Sequence, residues 1–323
     1  MRGVAGVLAA VALAAAAAGQ HSSAAGQPRY VDPAGWSLEY PATMYLESSS
    51  AHLRITVSEV TVASFQPVKA VSSGSTPNGG WLRVAPPLDT QGVFPAGGVA
   101  FRIVRQEGGP LPRLDLPETH FPLRLSKFRP SSDYSDSKPR PVEQTVVAGG
   151  RIYIAQAWIG PEAAPTQREA IGRVVSSLSF PRLLVGQTVG YGFRVLQPAS
   201  RYPVGTFLRL RVAGQPLYLV HAPGGFYAID WRWETLARGY KSRCDLQLDR
   251  RAMQFYCTNL TARWDRIGRV LVRPPRAPRG DPLKMAVAKV AWDGHVLLNP
   301  GTAHFATAAD AHRLWPGWRA HRS

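Results

Sequence analysis

Thr206-Phe207-Leu208-Arg209-Leu210-Arg211-Val212 is followed by Ala213-Gly214-Gln215-Pro216, then Leu217-Tyr218-Leu219-Val220-His221, then Ala222-Pro223-Gly224-Gly225, then Phe226-Tyr227-Ala228-Ile229-Asp230-Trp231. Apolar and basic residues alternate in the first run, the period of a half-buried strand. The next two runs are short, rich in Val, Ile and aromatics, and bounded by Gly and Pro, which are strand signals. Three strands joined by two tight turns make an antiparallel meander. Downstream, Lys284–Val290 and His295–Leu298 flank Trp292-Asp293-Gly294. Asp-Gly between two apolar runs is a hairpin signal. The C-terminal half therefore reads as mostly β.

Between these elements lie Ala262-Arg263-Trp264-Asp265-Arg266-Ile267-Gly268-Arg269-Val270-Leu271 and a Pro-rich run over 274–282. With Pro216–Ile229 as the entry hairpin, the stretch 216–298 resembles a Rieske-type [2Fe–2S] domain along most of its length. Trp264-Asp265 matches that family's aromatic-Asp pair, and Gly268-Arg269-Val270-Leu271 its Gly-x-aliphatic strand. The resemblance implies an antiparallel β domain with two ligand loops. A Rieske centre needs two Cys on one iron and two His on the other. Aligned through the flanking strands, the four ligand positions fall on Trp233, Thr235, Cys257 and Leu260. Trp and Leu offer iron no ligand, and neither His is replaced by a usable neighbour. The expectation is a scaffold without its cluster, with Trp233 filling the vacated volume. Against the resemblance stands a generic antiparallel β barrel, which would share the strands alone.

Cys244 and Cys257 are the only cysteines. In an exported chain an even count suggests one disulfide, the alternative being two buried free thiols. A Cys244–Cys257 bond would close a loop of about 14 residues, worth roughly 3 kcal/mol in the chain-entropy picture. No Cys-x-x-Cys occurs, which weighs against thiol exchange.

The N-terminal half carries a second β pattern. Trp36, Leu38 and Tyr40 alternate with Ser37 and Glu39 after the turn Asp32-Pro33-Ala34-Gly35. Leu53–Val60, Phe101–Val104 and Arg151–Trp158 are further strand candidates, and 67–98 and 105–141 read as loops. Thr166-Gln167-Arg168-Glu169 has the form of a capping box, with Ala170, Ile171, Val174, Val175 and Leu178 at helical spacing behind it. Gly35-Trp36-Ser37-Leu38-Glu39-Tyr40-Pro41 and Val175-Ser176-Ser177-Leu178-Ser179-Phe180 resemble the opening and closing elements of PsbP-like domains. That resemblance implies an α/β sandwich serving as an accessory or binding domain. The expected fold class is α+β and mostly β, with a sandwich over 28–182, a Rieske-like β domain over 187–300 and a basic tail over 301–323.

Met1-Arg2, the apolar run Val4–Ala18 and the small residues after it read as an export signal over 1–25, cleaved after Ala18 or Ala25. The run is short of the roughly 20 apolar residues of a membrane-crossing helix. No later segment is long and apolar enough to span a bilayer. The expected location is extracytoplasmic: secreted, periplasmic or bound to the cell wall.

The net charge of +17 is uneven. Residues 27–182 carry 16 Lys/Arg against 13 Asp/Glu, and 183–323 carry 21 against 8. Arg232, Arg238, Lys241 and Arg243, with Arg263 and Arg266, surround the former ligand loops as candidate docking residues. The counter-surface would be an acidic protein or an anionic surface, and the compartment disfavours nucleic acid. A solvated basic face is the plainer reading. His304 and His312 flank Asp310, but that spacing alone makes no metal site. No catalytic motif occurs. The sequence thus points to an exported, non-catalytic accessory or binding protein without cofactor. The alternative is a redox-associated protein or a subunit docking an electron-transfer complex.

Overall fold

The computed structural model describes residues 20–22, 27–52, 56–67, 87–89, 91–107, 115–132, 134, 138–230, 246–258, 261–272 and 283–317. The chain divides into two compact units. Unit 1 comprises residues up to 108 with 122–144 and 154–180, and unit 2 comprises 109–121, 145–153 and 181–323.

Unit 1 opens with a three-stranded sheet of β1 (Gln20–Ser22), β2 (Arg29–Val31) and β3 (Ser37–Glu39), paired antiparallel in that order. The Asp32–Gly35 turn closes as read. Asp32 accepts the Gly35 amide on its carbonyl and the Ala34 amide on Oδ1, and Gly35 takes the positive φ of 90° that favours glycine. A second sheet contains β4 (Tyr45–His52), β5 (Thr56–Ala63), β6 (Val99–Glu107), β7 (Arg129–Pro130), β8 (Val142–Ala148) and β9 (Arg151–Ile159), in the order β4-β5-β6-β9-β8-β7. The strand expected over Leu53–Val60 begins at Thr56, and residues 53–55 lie outside the described ones. β4 and β8 were not read from sequence, because runs of Ser, Glu, Gln and Thr break their apolar alternation.

The helix α1 (Pro165–Ser177) buries Ala170, Ile171, Val174 and Val175 against β3 and β6. Its start differs from the expected Thr166 cap. Ala164 is the cap residue and Pro165 opens the first turn, where a missing N–H costs nothing. Gln167 Oε1 accepts the Ala164 amide at 3.0 Å, so Gln167 does what was expected of Glu169. Past the helix, Ser179 bridges back to Ser37 through both backbone amides and a 3.0 Å hydroxyl contact.

Unit 2 is built on a seven-stranded antiparallel sheet. Its strands are β10 (Thr188–Val189), β11 (Phe193–Pro198), β12 (Phe207–Val212), β13 (Gln215–Ala222), β14 (Gly225–Asp230), β19 (Lys284–Val290) and β20 (His295–Phe305), in the order β10-β11-β20-β19-β14-β13-β12. The meander and the final hairpin read from sequence are β12–β13–β14 and β19–β20. A smaller sheet holds β15 (Leu246–Asp249), β16 (Gln254–Cys257), β17 (Arg263–Trp264) and β18 (Val270–Val272) in sequence order. One core joins the two sheets: Phe207, Tyr218, Tyr227 and Ile229 from the large one meet Leu246, Phe255, Cys257 and Trp264 from the small one.

The expected basic tail is structured through Gly317. β20 continues to Phe305, and α2 (Ala308–Leu314) packs Ala311 and Leu314, with Trp315 just past its end, into that core. Thr307 caps α2, accepting the Asp310 amide on Oγ1 while its own amide donates to the Asp310 carboxylate.

Candidate functional site

Unit 2 contains a cavity of about 670 Å³. Its floor is β19, its walls are α2 and the strap Asp115–His120, and β14 enters at Gly224–Tyr227. A bulge in β20 shapes it. Met285 pairs with His304, but two residues later Val287 pairs with Asn299. At the bulge a side chain joins the ladder: Thr302 Oγ1 accepts the Val287 amide at 2.9 Å and donates to the Asn299 carbonyl at 2.7 Å. Asn299 Oδ1 caps the bulge by accepting the Gly301 amide. A side chain thus closes the ladder, and Thr302 and His304 line the wall.

One buried ion pair fixes the strap. Lys289 Nζ lies 3.1 Å from Glu118 Oε1, with both side chains largely out of water. Glu118 also accepts the Gly149 and Gly150 amides at 2.8 and 3.0 Å. Lys289 donates to the Leu116 carbonyl and stands over the Phe193 ring. Burial pushes the Lys289 ammonium below its ordinary value, and the Glu118 carboxylate opposes that shift. Held by Glu118 and Leu116 and facing the Phe193 ring, Lys289 serves as a clamp between β19 and the strap.

Across the cavity, Asp310 lies 3.3 Å from Arg313 and 3.6 Å from His304. Burial raises the Asp310 pKa, but hydrogen bonds from Thr307 and Arg313 and the nearby His304 outweigh it and leave it lowered. The cavity therefore offers an apolar floor and internally matched charges. Among the described residues no three His, Cys, Asp or Glu side chains group as metal ligands. The His304–Asp310 contact does not gain His312 as a third member.

The expected cluster region is the small sheet. Cys257 ends β16 opposite Leu246, 3% exposed, with its amide donating to the Ala262 carbonyl. Its sulfur is disulfide-bonded. Trp233, Thr235, Leu260 and Cys244 lie outside the described residues. The four positions expected from the resemblance do not fit a [2Fe–2S] centre: Trp233 and Leu260 have no ligand atom for iron, and the Cys257 sulfur is already bonded. Asp265, in the segment matched to the aromatic-Asp pair, is buried and accepts the Ile267 and Arg269 amides and the Arg269 guanidinium at 2.7–3.0 Å. It organises a turn. Gly268 completes that turn with φ 87°, where a Cβ would meet the Leu283 side chain at 2.8 Å.

Of the candidate docking cations, Arg232, Arg238, Lys241 and Arg243 lie outside the described residues. Arg263 is exposed on β17. Arg266 lies over the Trp315 ring at 4.6 Å, and its carbonyl accepts the Tyr227 hydroxyl. Arg266 is thus part of the packing around Trp315. The Glu118–Lys289 pair escaped the sequence reading because the partners are far apart in the chain. The available signal was a Lys inside the apolar run Met285–Val290.

No family model and no curated protein matches the chain. Among solved structures it is similar to the ferredoxin of carbazole 1,9a-dioxygenase from Nocardioides aromaticivorans IC177, at 18% identity over 33% of this chain and 97% of that one, with a TM-score of 0.24. It is also similar to the terminal oxygenase of carbazole 1,9a-dioxygenase from Novosphingobium sp. KA1, at 17% identity over 39% of this chain and 34% of that one, with a TM-score of 0.26.

Proposed function

We propose that the chain is an exported, non-catalytic accessory protein. Its unit 2 keeps a Rieske-type scaffold without the cluster and docks a partner through its basic surface. The observation that carries this reading is the state of Cys257, the one former ligand position that still bears a sulfur, buried and disulfide-bonded. Cys244 is the partner sulfur in this reading, so a covalent staple takes over the cluster's task of tying two loops together. The scaffold reading is supported by the meander β12–β14, the small sheet β15–β18 and the closing hairpin β19–β20.

Unit 1 is read as PsbP-like. Its support is that the two quoted elements, Gly35–Pro41 and Val175–Phe180, pair directly through the Ser37–Ser179 bridge. Export rests on the N-terminal run, and among the described residues no helix is long and apolar enough to cross a membrane. Gln20–Ser22 pairs with β2, so cleavage after Ala18 keeps that pairing and cleavage after Ala25 removes it.

Thiol counting on protein exported by its own host tests the reading. Unfolded without reductant, the chain should show no reactive thiol, and a peptide map should join Cys244 to Cys257. Two reactive thiols would overturn the staple.

A further inference from the structure

The walls of the unit 2 cavity are fixed separately, so the space between them is part of the fold. The strap is held by Glu118 on Lys289. It is held again at Thr119, whose amide donates to the Val147 carbonyl and whose Oγ1 accepts the Val147 amide, both at 2.8 Å. The α2 wall is held by Leu314, which is fully buried and accepts the Gly224 amide on its carbonyl at 2.9 Å. At about 670 Å³ the cavity falls within the roughly 300–1,000 Å³ of small-molecule pockets.

Its inner surface is apolar. Tyr227 and Val287 are a cross-strand pair, so their side chains share one face of the sheet. The Tyr227 hydroxyl meets the Trp315 indole on that face, which is the α2 side. Met285, two residues before Val287 on the same strand, faces the same way. The charged side chains of the lining are already engaged. Glu118 holds Lys289, Asp310 holds Arg313 with His304 beside it, and Asp115 adds its negative field to the same lysine. An ion entering here would shed its water and compete with these pairs for their partners. At the rim, His120 and His304 are exposed and offer ring nitrogens to a polar group.

We infer that this cavity is a binding site for an uncharged, mainly apolar small molecule with one polar end, a medium-chain alcohol being the simplest example. The apolar chain lies along Tyr227, Met285 and Val287, and the polar end stays at the rim with the histidines. Affinity then comes from apolar burial, and discrimination against ions from charges that are already paired. This goes beyond the docking reading of unit 2 and does not depend on it.

The test titrates the full chain with hexanol, octanol, octanoate and octylammonium by calorimetry, with its methionine methyls isotope-labelled for magnetic resonance. Met285 lines the cavity, whereas Met44 lies in unit 1. Octanol should move the Met285 methyl signal and leave that of Met44 in place. It should bind about fifteenfold more tightly than hexanol, the scale of two more buried methylenes. It should bind at least about tenfold more tightly than either ion. Val287→Phe fills the space and should weaken octanol binding by at least about tenfold. Octanol binding that leaves Met285 unmoved overturns the site in the wild-type chain, whether or not the variant folds. Unchanged binding by a folded Val287→Phe variant overturns it as well. An ion that binds as tightly as octanol overturns the ligand class, and no octanol binding overturns both.

Discussion

Glu118 and Lys289 meet 3.1 Å apart inside unit 2, from distant parts of the chain. The carboxylate also satisfies the Gly149 and Gly150 amides, so three segments converge on one side chain. Lys289→Met leaves that carboxylate buried without its cation. Removing one partner of a buried pair costs about 3–5 kcal/mol. The variant should lose that much in urea unfolding. Adding Glu118→Gln, which keeps an oxygen for the two amides, should recover part of it. A loss below 1 kcal/mol would show that the pair does not hold the strap.

Tyr227 joins the two sheets of unit 2. Its hydroxyl donates to the Arg266 carbonyl at 2.6 Å and accepts Trp315 Nε1 at 3.2 Å. Tyr227→Phe strands both partners and should cost about 1–3 kcal/mol at neutral pH. Burial, reinforced by Asp265, pushes the Tyr227 pKa up. A raised folded pKa gives a contribution that is complete below the unfolded value, near 10, and falls away as pH climbs above it. The gap between wild type and Tyr227→Phe should therefore narrow above about pH 10. Tyr30, also raised by burial, is present in both proteins and cancels. A gap that widens there would contradict the assignment.

Two glycines should respond in opposite directions. A Cβ at Gly224 would sit 1.8 Å from the Arg313 carbonyl oxygen, so Gly224→Ala must push α2 off the β13–β14 turn. Overpacking of this kind costs about 1–3 kcal/mol. The nearby Trp315 indole should report it as a shift to red emission. Gly172 lies in α1, where a Cβ meets nothing within 4 Å. Gly172→Ala should stabilise by about 0.5–1 kcal/mol. Matched thermal melts of both variants check the pair.

Legibility in the sequence followed the range of the interactions. The meander β12–β14 and the hairpin β19–β20 were readable because alternation and turn residues lie within a few positions of one another. The α1 face was readable for the same reason, although its cap lay two residues earlier, where Pro165 and Gln167 outweigh Thr166. β4 and β8 escaped because Ser, Glu and Gln on a sheet face blur the alternation. The tail after 300 read only as basic, yet Thr307 and Asp310 cap a helix whose end buries Leu314 and Trp315. The cavity was invisible, since it depends on a bulge at Asn299–Thr302 and on a strap from before residue 121.

The central claim is that unit 2 is a Rieske-type scaffold unable to hold its cluster. The direct measurement is anaerobic reconstitution of the reduced full chain with iron and sulfide, followed by iron analysis, visible absorption and electron paramagnetic resonance. The account predicts iron well below stoichiometry and no [2Fe–2S] spectrum, because Cys257 is the only sulfur at the four former ligand positions. A full [2Fe–2S] complement with its characteristic spectrum would contradict it.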